Sequence, residues 1–143
     1  MPILAGDIIY VTANFVNPKK PKYLICICPI KFYYMVINSE LYRLAAQAQL
    51  QVTVQEISCL EHTSYIDTSK LIKLSEMETE TPVEANPGKC KKGALSAKVR
   101  AKIVALVAEH GIMPKHQADL VAANLLPSAT KPRPSGGGPS TGR

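Results

Sequence analysis

Gly6-Asp7-Ile8-Ile9-Tyr10-Val11 and Lys20-Pro21-Lys22-Tyr23-Leu24-Ile25-Cys26-Ile27-Cys28 are the stretches whose reading decides the fold. Both are rich in β-branched, aromatic and other apolar side chains, and a polar segment, Asn14 to Pro21, separates them. The pattern reads as two strands, Ile8–Ala13 and Tyr23–Cys28, joined by a Pro-bearing loop that carries Lys19, Lys20 and Lys22. The second strand is apolar throughout, as expected of a strand covered on both faces. The lysines then sit at the lip of a small β-barrel, a place suited to gripping a phosphodiester backbone.

Working outward, Phe32–Ile37 reads as a third strand, with Pro29-Ile30-Lys31 turning into it and Asn38-Ser39-Glu40 closing it. Residues 41–50 have helix-forming composition and are expected to form a short helix or an irregular excursion. Gln51–Ile57 alternates polar and apolar like a strand with one wet face, Ser58–Ser64 turns the chain, and Tyr65–Ser69 with Leu71–Leu74 completes the strands. Residues 1–75 are thus expected to form the barrel core, and 76–92, which hold Pro82, Asn86-Pro87-Gly88 and no apolar periodicity, a connecting loop. Over 93–126, Ser96 is a good helix N-cap, Val99, Ile103 and Leu106 build one apolar face, Gly111 fits the C′ position and Pro114 starts a second helix through Leu120, Val121 and Leu125. Residues 127–143 have the Ser, Pro, Gly, Lys and Arg composition of a disordered tail. Short strands followed by helices that pack their apolar stripe on the barrel give an α+β fold.

The chain has 143 residues and a net charge of +6, but the charge is uneven. Residues 1–80 carry seven Lys/Arg against eight Asp/Glu, a net −1, whereas residues 81–143 carry ten against three, a net +7. The barrel is therefore not basic all over; two local clusters, Lys19-Lys20-Pro21-Lys22 and Lys89-Cys90-Lys91-Lys92, are where phosphates would be met. No apolar run approaches the ~20 residues of a membrane span, and the first residues lack the basic n-region of a signal peptide. Cys26 and Cys28 share one strand face within an apolar run, so buried free thiols are expected, consistent with a reducing cytoplasm. They lack a second paired Cys/His element, and neither a metal nor another cofactor is expected.

The order of these motifs resembles that of the MazF/PemK family of toxin ribonucleases. That family opens with a Gly-Asp-Ile strand, then a loop ending in a basic residue before Pro and an apolar strand; here these are Gly6-Asp7-Ile8, Lys20-Pro21 and Tyr23-Leu24-Ile25-Cys26. Its barrel closes with a Ser-x-(I/V)-x-x-x-x-(I/L) segment, similar to Ser64 through Leu71, and Gly93-Ala94-Leu95-Ser96 looks like its Gly-x-Leu-Ser before the last helix. The resemblance covers about residues 5–113. It implies an SH3-like barrel, a homodimer with RNA near the dimer seam, a small antitoxin protein as partner, and metal-independent cleavage of single-stranded RNA.

By the same resemblance Lys20 takes the place of a catalytic Arg, and Asn38 or Ser39 that of a Thr/Ser at the end of the third strand. Lys offers a point donor where Arg offers a directed fork, though burial can lower its pKa enough for acid/base work. Lys22 serves as a second phosphate ligand, with Lys19 in the same loop. His62, in the turn before the last strand, has the pKa range for moving a proton. Ser64, two residues on, is placed to orient it or to touch RNA. Tyr33 and Tyr34 point to opposite strand faces, and Tyr34 is taken as the one that stacks on a base. His110, near a helix C-terminus, reads as structural. The alternative is a catalytically inactive barrel that binds nucleic acid or protein without turnover. A reader of Pro-rich peptides ranks last, because Trp is absent.

Overall fold

The computed structural model describes residues 2–126. The tail of 127–143 lies outside the described residues. The chain runs β1 (Asp7–Ala13), β2 (Lys20–Cys28), β3 (Tyr33–Asn38), a 3-10 helix (Arg43–Ala48), β4 (Gln49–Val52), β5 (Ser64–Lys73), α1 (Glu80–Ala85), α2 (Pro87–Cys90), β6 (Lys91–Ala94), α3 (Ala97–His110) and α4 (Lys115–Leu125). The six strands form one antiparallel sheet in the order β4-β5-β3-β2-β1-β6, curled into a half-barrel with β4 and β6 at its edges. The fold is α+β, as expected.

Both faces of the sheet are covered, which is why β2 is apolar without alternation. Ile25 and Ile27 face one core with Ile8, Met35, Ile37 and Ile66, sealed by Val99, Ile103 and Val107 of α3 and by Val121 and Leu125 of α4. Leu24 and Cys26 face the other core with Ile9, Val11, Tyr34 and Val36, sealed by Ile3, Leu74, Val83 and Cys90. Each fully buried aliphatic side chain stabilises the fold by roughly 1.5–3 kcal/mol. On α3 the third buried position is Val107, not Leu106, which is half-buried; the stripe follows i, i+4, i+8 as the helix tilts across the sheet.

Three segments differ from the sequence reading. Residues 76–92 are not an open loop. Ser75 and Glu78 exchange hydrogen bonds (Ser75 N to Glu78 Oε1 2.9 Å, Glu78 N to Ser75 Oγ 3.1 Å), and α1 and α2 follow. Asn86 caps α2 by accepting from Lys89 N, and Pro87 occupies its first turn. These helices are too short to show periodicity and are anchored by single residues, Val83 and Cys90. Lys91–Ala94 then pairs with β1 as an edge strand. The strand expected over Gln51–Ile57 instead spans Gln49–Val52. Thr53 and Glu56 stop it with a reciprocal box, Thr53 N donating to Glu56 Oε1 at 3.0 Å and Glu56 N to Thr53 Oγ1 at 3.3 Å.

Two glycines fix corners. Gly111 ends α3 in the left-handed region at φ 62°. Gly6 has φ 90°, and the Arg100 guanidinium occupies the space a Cβ would need. Its N–H donates to Cys26 O at 2.7 Å and its carbonyl accepts from Leu95 N at 2.8 Å, so the residue opening the first motif ties β1 to β2 and to the start of α3.

Candidate functional site

The antiparallel register brings the start of β2, the end of β3 and the start of β5 to one rim. Tyr23 pairs with Ile37, so Lys22 and Asn38 lie one step further out on neighbouring strands. Asn38 in turn pairs with Tyr65, which sets Ser64 and His62 beside it. A cleft of about 180 Å³ opens here, and Lys20, Lys22, Asn38, Ser39, His62 and Ser64 all line it. These residues span 45 positions of sequence from Lys20 to Ser64.

Lys22 Nζ donates to Asn38 Oδ1 at 2.7 Å. Half-burial, and then the charge of Lys20, lower the Lys22 pKa from the ordinary 10.5, so its ammonium gives up a proton more readily than a solvated one. Lys20 is exposed at the mouth, and Ser39 lies just beyond the end of β3. His62 Nδ1 is 2.9 Å from the carbonyl of Thr63. A carbonyl only accepts, so Nδ1 carries the hydrogen and Nε2 holds the lone pair of the neutral ring. Ser64 is buried and its hydroxyl donates to His62 O at 3.0 Å. It holds the turn that presents the imidazole.

The remaining two site residues stand elsewhere. Lys19 is exposed in the loop before β2, outside the cleft lining. Tyr34 does not reach the surface: it is 1% exposed, in the core covered by α1 and α2. Its hydroxyl meets the Cys26 thiol and Thr79, and burial raises its pKa far above that of a free phenol. The role of stacking on a base is therefore withdrawn from Tyr34. Strand parity sends Tyr33 and Tyr34 to opposite faces, and here both faces are covered.

The cleft has its aromatic side chains on other strands. Tyr10 of β1 lies directly across from Tyr23 of β2, their ring centroids 4.5 Å apart and inclined by 39°. Both line the cleft with Leu60 and Glu61. The Tyr23 hydroxyl donates to Cys59 O at 3.1 Å, fixing that ring. Burial first, then the neighbouring Cys59, Tyr10 and Glu61, raise the Tyr23 pKa, so it remains a phenol donor. These residues were legible in principle: Tyr23 follows Lys22 directly, and pairing the two opening strands sets Tyr10 against it.

The other notable side chains are structural. His110 Nε2 lies 2.9 Å from Thr68 Oγ1, and its Nδ1 accepts from Ile112 N at 2.9 Å, pinning the α3–α4 corner to β5. Cys26, Cys28 and Cys90 are buried free thiols and Cys59 is half-buried. Burial pushes the Cys26 thiol up to about 12. Among the described residues no three His, Cys, Asp or Glu side chains converge as a metal site, and no helix is long and apolar enough to cross a membrane.

Comparison with protein-family models, with curated proteins and with solved structures returns no match for this chain.

Proposed function

We propose that this chain is a MazF/PemK-like toxin with an SH3-like barrel that cleaves single-stranded RNA. The observation that carries the reading is the convergence of Lys20, Lys22, Asn38, Ser39 and His62 on one cleft. The reaction needs few groups. The ribose 2′-oxygen attacks the adjacent phosphorus, a P–O2′ bond forms, and the P–O5′ bond breaks to leave a 2′,3′-cyclic phosphate and a free 5′-hydroxyl. A base takes the 2′-hydroxyl proton and an acid protonates the departing oxygen.

In this scheme His62 Nε2 is the base, because its other nitrogen is committed as a donor to Thr63 O. Lys22, with its lowered pKa and its place against Asn38, is the acid. Lys20 and the Asn38 or Ser39 side chain supply charge and hydrogen bonds to the non-bridging oxygens as negative charge builds there. The reaction as written draws on protein groups alone, without a metal or cofactor step. Exposed Leu41 and Tyr42 border the site and, with exposed Leu44 two residues on, provide apolar surface for a homodimer or for the small antitoxin. A cytoplasmic location fits the proposed RNA substrate and the free thiols.

The test is purified protein incubated with a long single-stranded RNA in the presence of a chelator. Discrete fragments that disappear in Lys20→Ala support the reading. RNA that is bound but stays intact would replace it with the binding-module alternative, which the lysine at the position of the family's arginine favours.

A further inference from the structure

The second basic cluster found in the sequence, Lys89 to Lys92, has no part in the chemistry above, yet the fold brings its first residue close to the cleft. Tyr10 and Pro21 line the cleft on one side and, on the other, a second depression of about 300 Å³ whose walls include Thr12, Asn86, Lys89 and Cys90. The Tyr10 ring and Pro21 thus form a saddle between two concavities. On one side stand Lys20 and Lys22; on the other stands Lys89, exposed on α2. Tyr23, held by its bond to Cys59 O, braces the ring of Tyr10.

We infer that a single strand of nucleic acid runs over this saddle, with one base stacked on Tyr10 and a phosphate beyond it met by Lys89. The inference rests on the proposed RNA substrate and extends it from one scissile phosphate to a track of several nucleotides. Three features of the surface support it. Cations flank an aromatic ring along one continuous surface, the arrangement by which proteins hold single strands through backbone charge and base stacking. The first cleft is small, about 180 Å³, and shares Tyr10 and Pro21 with the second depression. A strand longer than the cleft can leave it over the saddle, which leads to the second depression. α1 and α2, the segment whose sequence reads as a mere connection, become the platform that positions Lys89.

The test is binding of labelled 2′-deoxy oligonucleotides, which lack the attacking hydroxyl, of three and seven nucleotides. Wild-type protein binds the seven-mer at least tenfold tighter than the three-mer. Lys89→Gln removes most of that gain and flattens the salt dependence by about 0.7 in log–log slope, the contribution of one phosphate on a single strand. It leaves three-mer binding and cleavage of a short RNA unchanged. Tyr10→Leu weakens the seven-mer about tenfold whereas Tyr10→Phe does not, because stacking needs the ring and not the hydroxyl. Seven-mer affinity and salt slope equal to wild type in both Lys89→Gln and Tyr10→Leu would overturn the track while leaving the cleavage site standing. Failure of wild-type protein to bind either oligonucleotide, together with intact RNA, would overturn both.

Discussion

Lys22 carries two features that pull together. It is half-buried beside a second cation, which disfavours its charge, and it donates to Asn38, which holds its position. With a folded-state pKa below 10.5, the folded chain binds fewer protons than the unfolded chain between the two values. Stability therefore rises with pH through that window, and the full cost of the buried charge is present below it. NMR titration of reductively methylated protein is expected to show Lys22 titrating below the ordinary 10.5; titration at or above that value contradicts the argument. Asn38→Ala removes the fixed acceptor. If the proposed scheme holds, it is expected to lower RNA turnover by about 10²-fold, the scale of losing one preorganised transition-state hydrogen bond, while circular dichroism and thermal unfolding are expected to change little, since Asn38 lies at the rim. Unchanged turnover in that variant removes Asn38 from the site and leaves Ser39 as the group at the strand end.

Among the elements, the corner at Gly6 and the α3 seam tie β1 and β2 to the start of α3 and α3 to the sheet. Gly6→Ala forces a Cβ into the Arg100 guanidinium at a φ of 90°, and denaturant titration is expected to show a loss of roughly 1–3 kcal/mol. Ile103→Ala empties a position where α3 meets the sheet, with an expected cost of about 2–5 kcal/mol. Glu56 is held below the usual carboxylate range, first by its bond from Lys102 at 2.7 Å and then by Thr53 N. Its contribution is present above the ordinary 4.5 and is lost as pH falls through the lowered folded value. The pair is partly solvated, so Glu56→Gln costs at most ~1 kcal/mol near neutral pH and makes the acid side of the stability profile shallower. β1, β2, β3 and α3 were legible because their signals are local: β-branched runs, a Ser96 cap and a Gly111 stop. α1, α2 and β6 were not, because each is short and held by tertiary contacts from one or two residues. The early end of β4 lay in a Thr53–Glu56 pair whose partner Lys102 is far along the chain.

At the scale of the molecule, the sheet curls through half a barrel, and the cleft lies where one rim of that curl gathers β1, β2, β3 and β5. The site was readable as a set of lysines, a strand-end amide or hydroxyl and a turn histidine. Their meeting follows from antiparallel register, which no single stretch encodes. Tyr34 failed as a surface residue because its face is covered by α1, a helix the sequence does not announce. The proposed dimer has its own check. Light scattering on wild-type protein is expected to read twice the chain mass, and Leu44→Glu, at a residue that is 85% exposed, is expected to shift it to the monomer without unfolding; a monomeric wild type would remove the dimer from the account. The central claim is that this rim activates a ribose hydroxyl against its neighbouring phosphate. It is tested most directly by single-turnover assays on one single-stranded RNA and on the same strand with every 2′-hydroxyl removed, both with a chelator present. The account predicts that both strands bind, that only the RNA is cut, and that its 5′ fragment ends in a 2′,3′-cyclic phosphate. Cleavage of the deoxy strand, or an RNA that is bound and never cut, would contradict it.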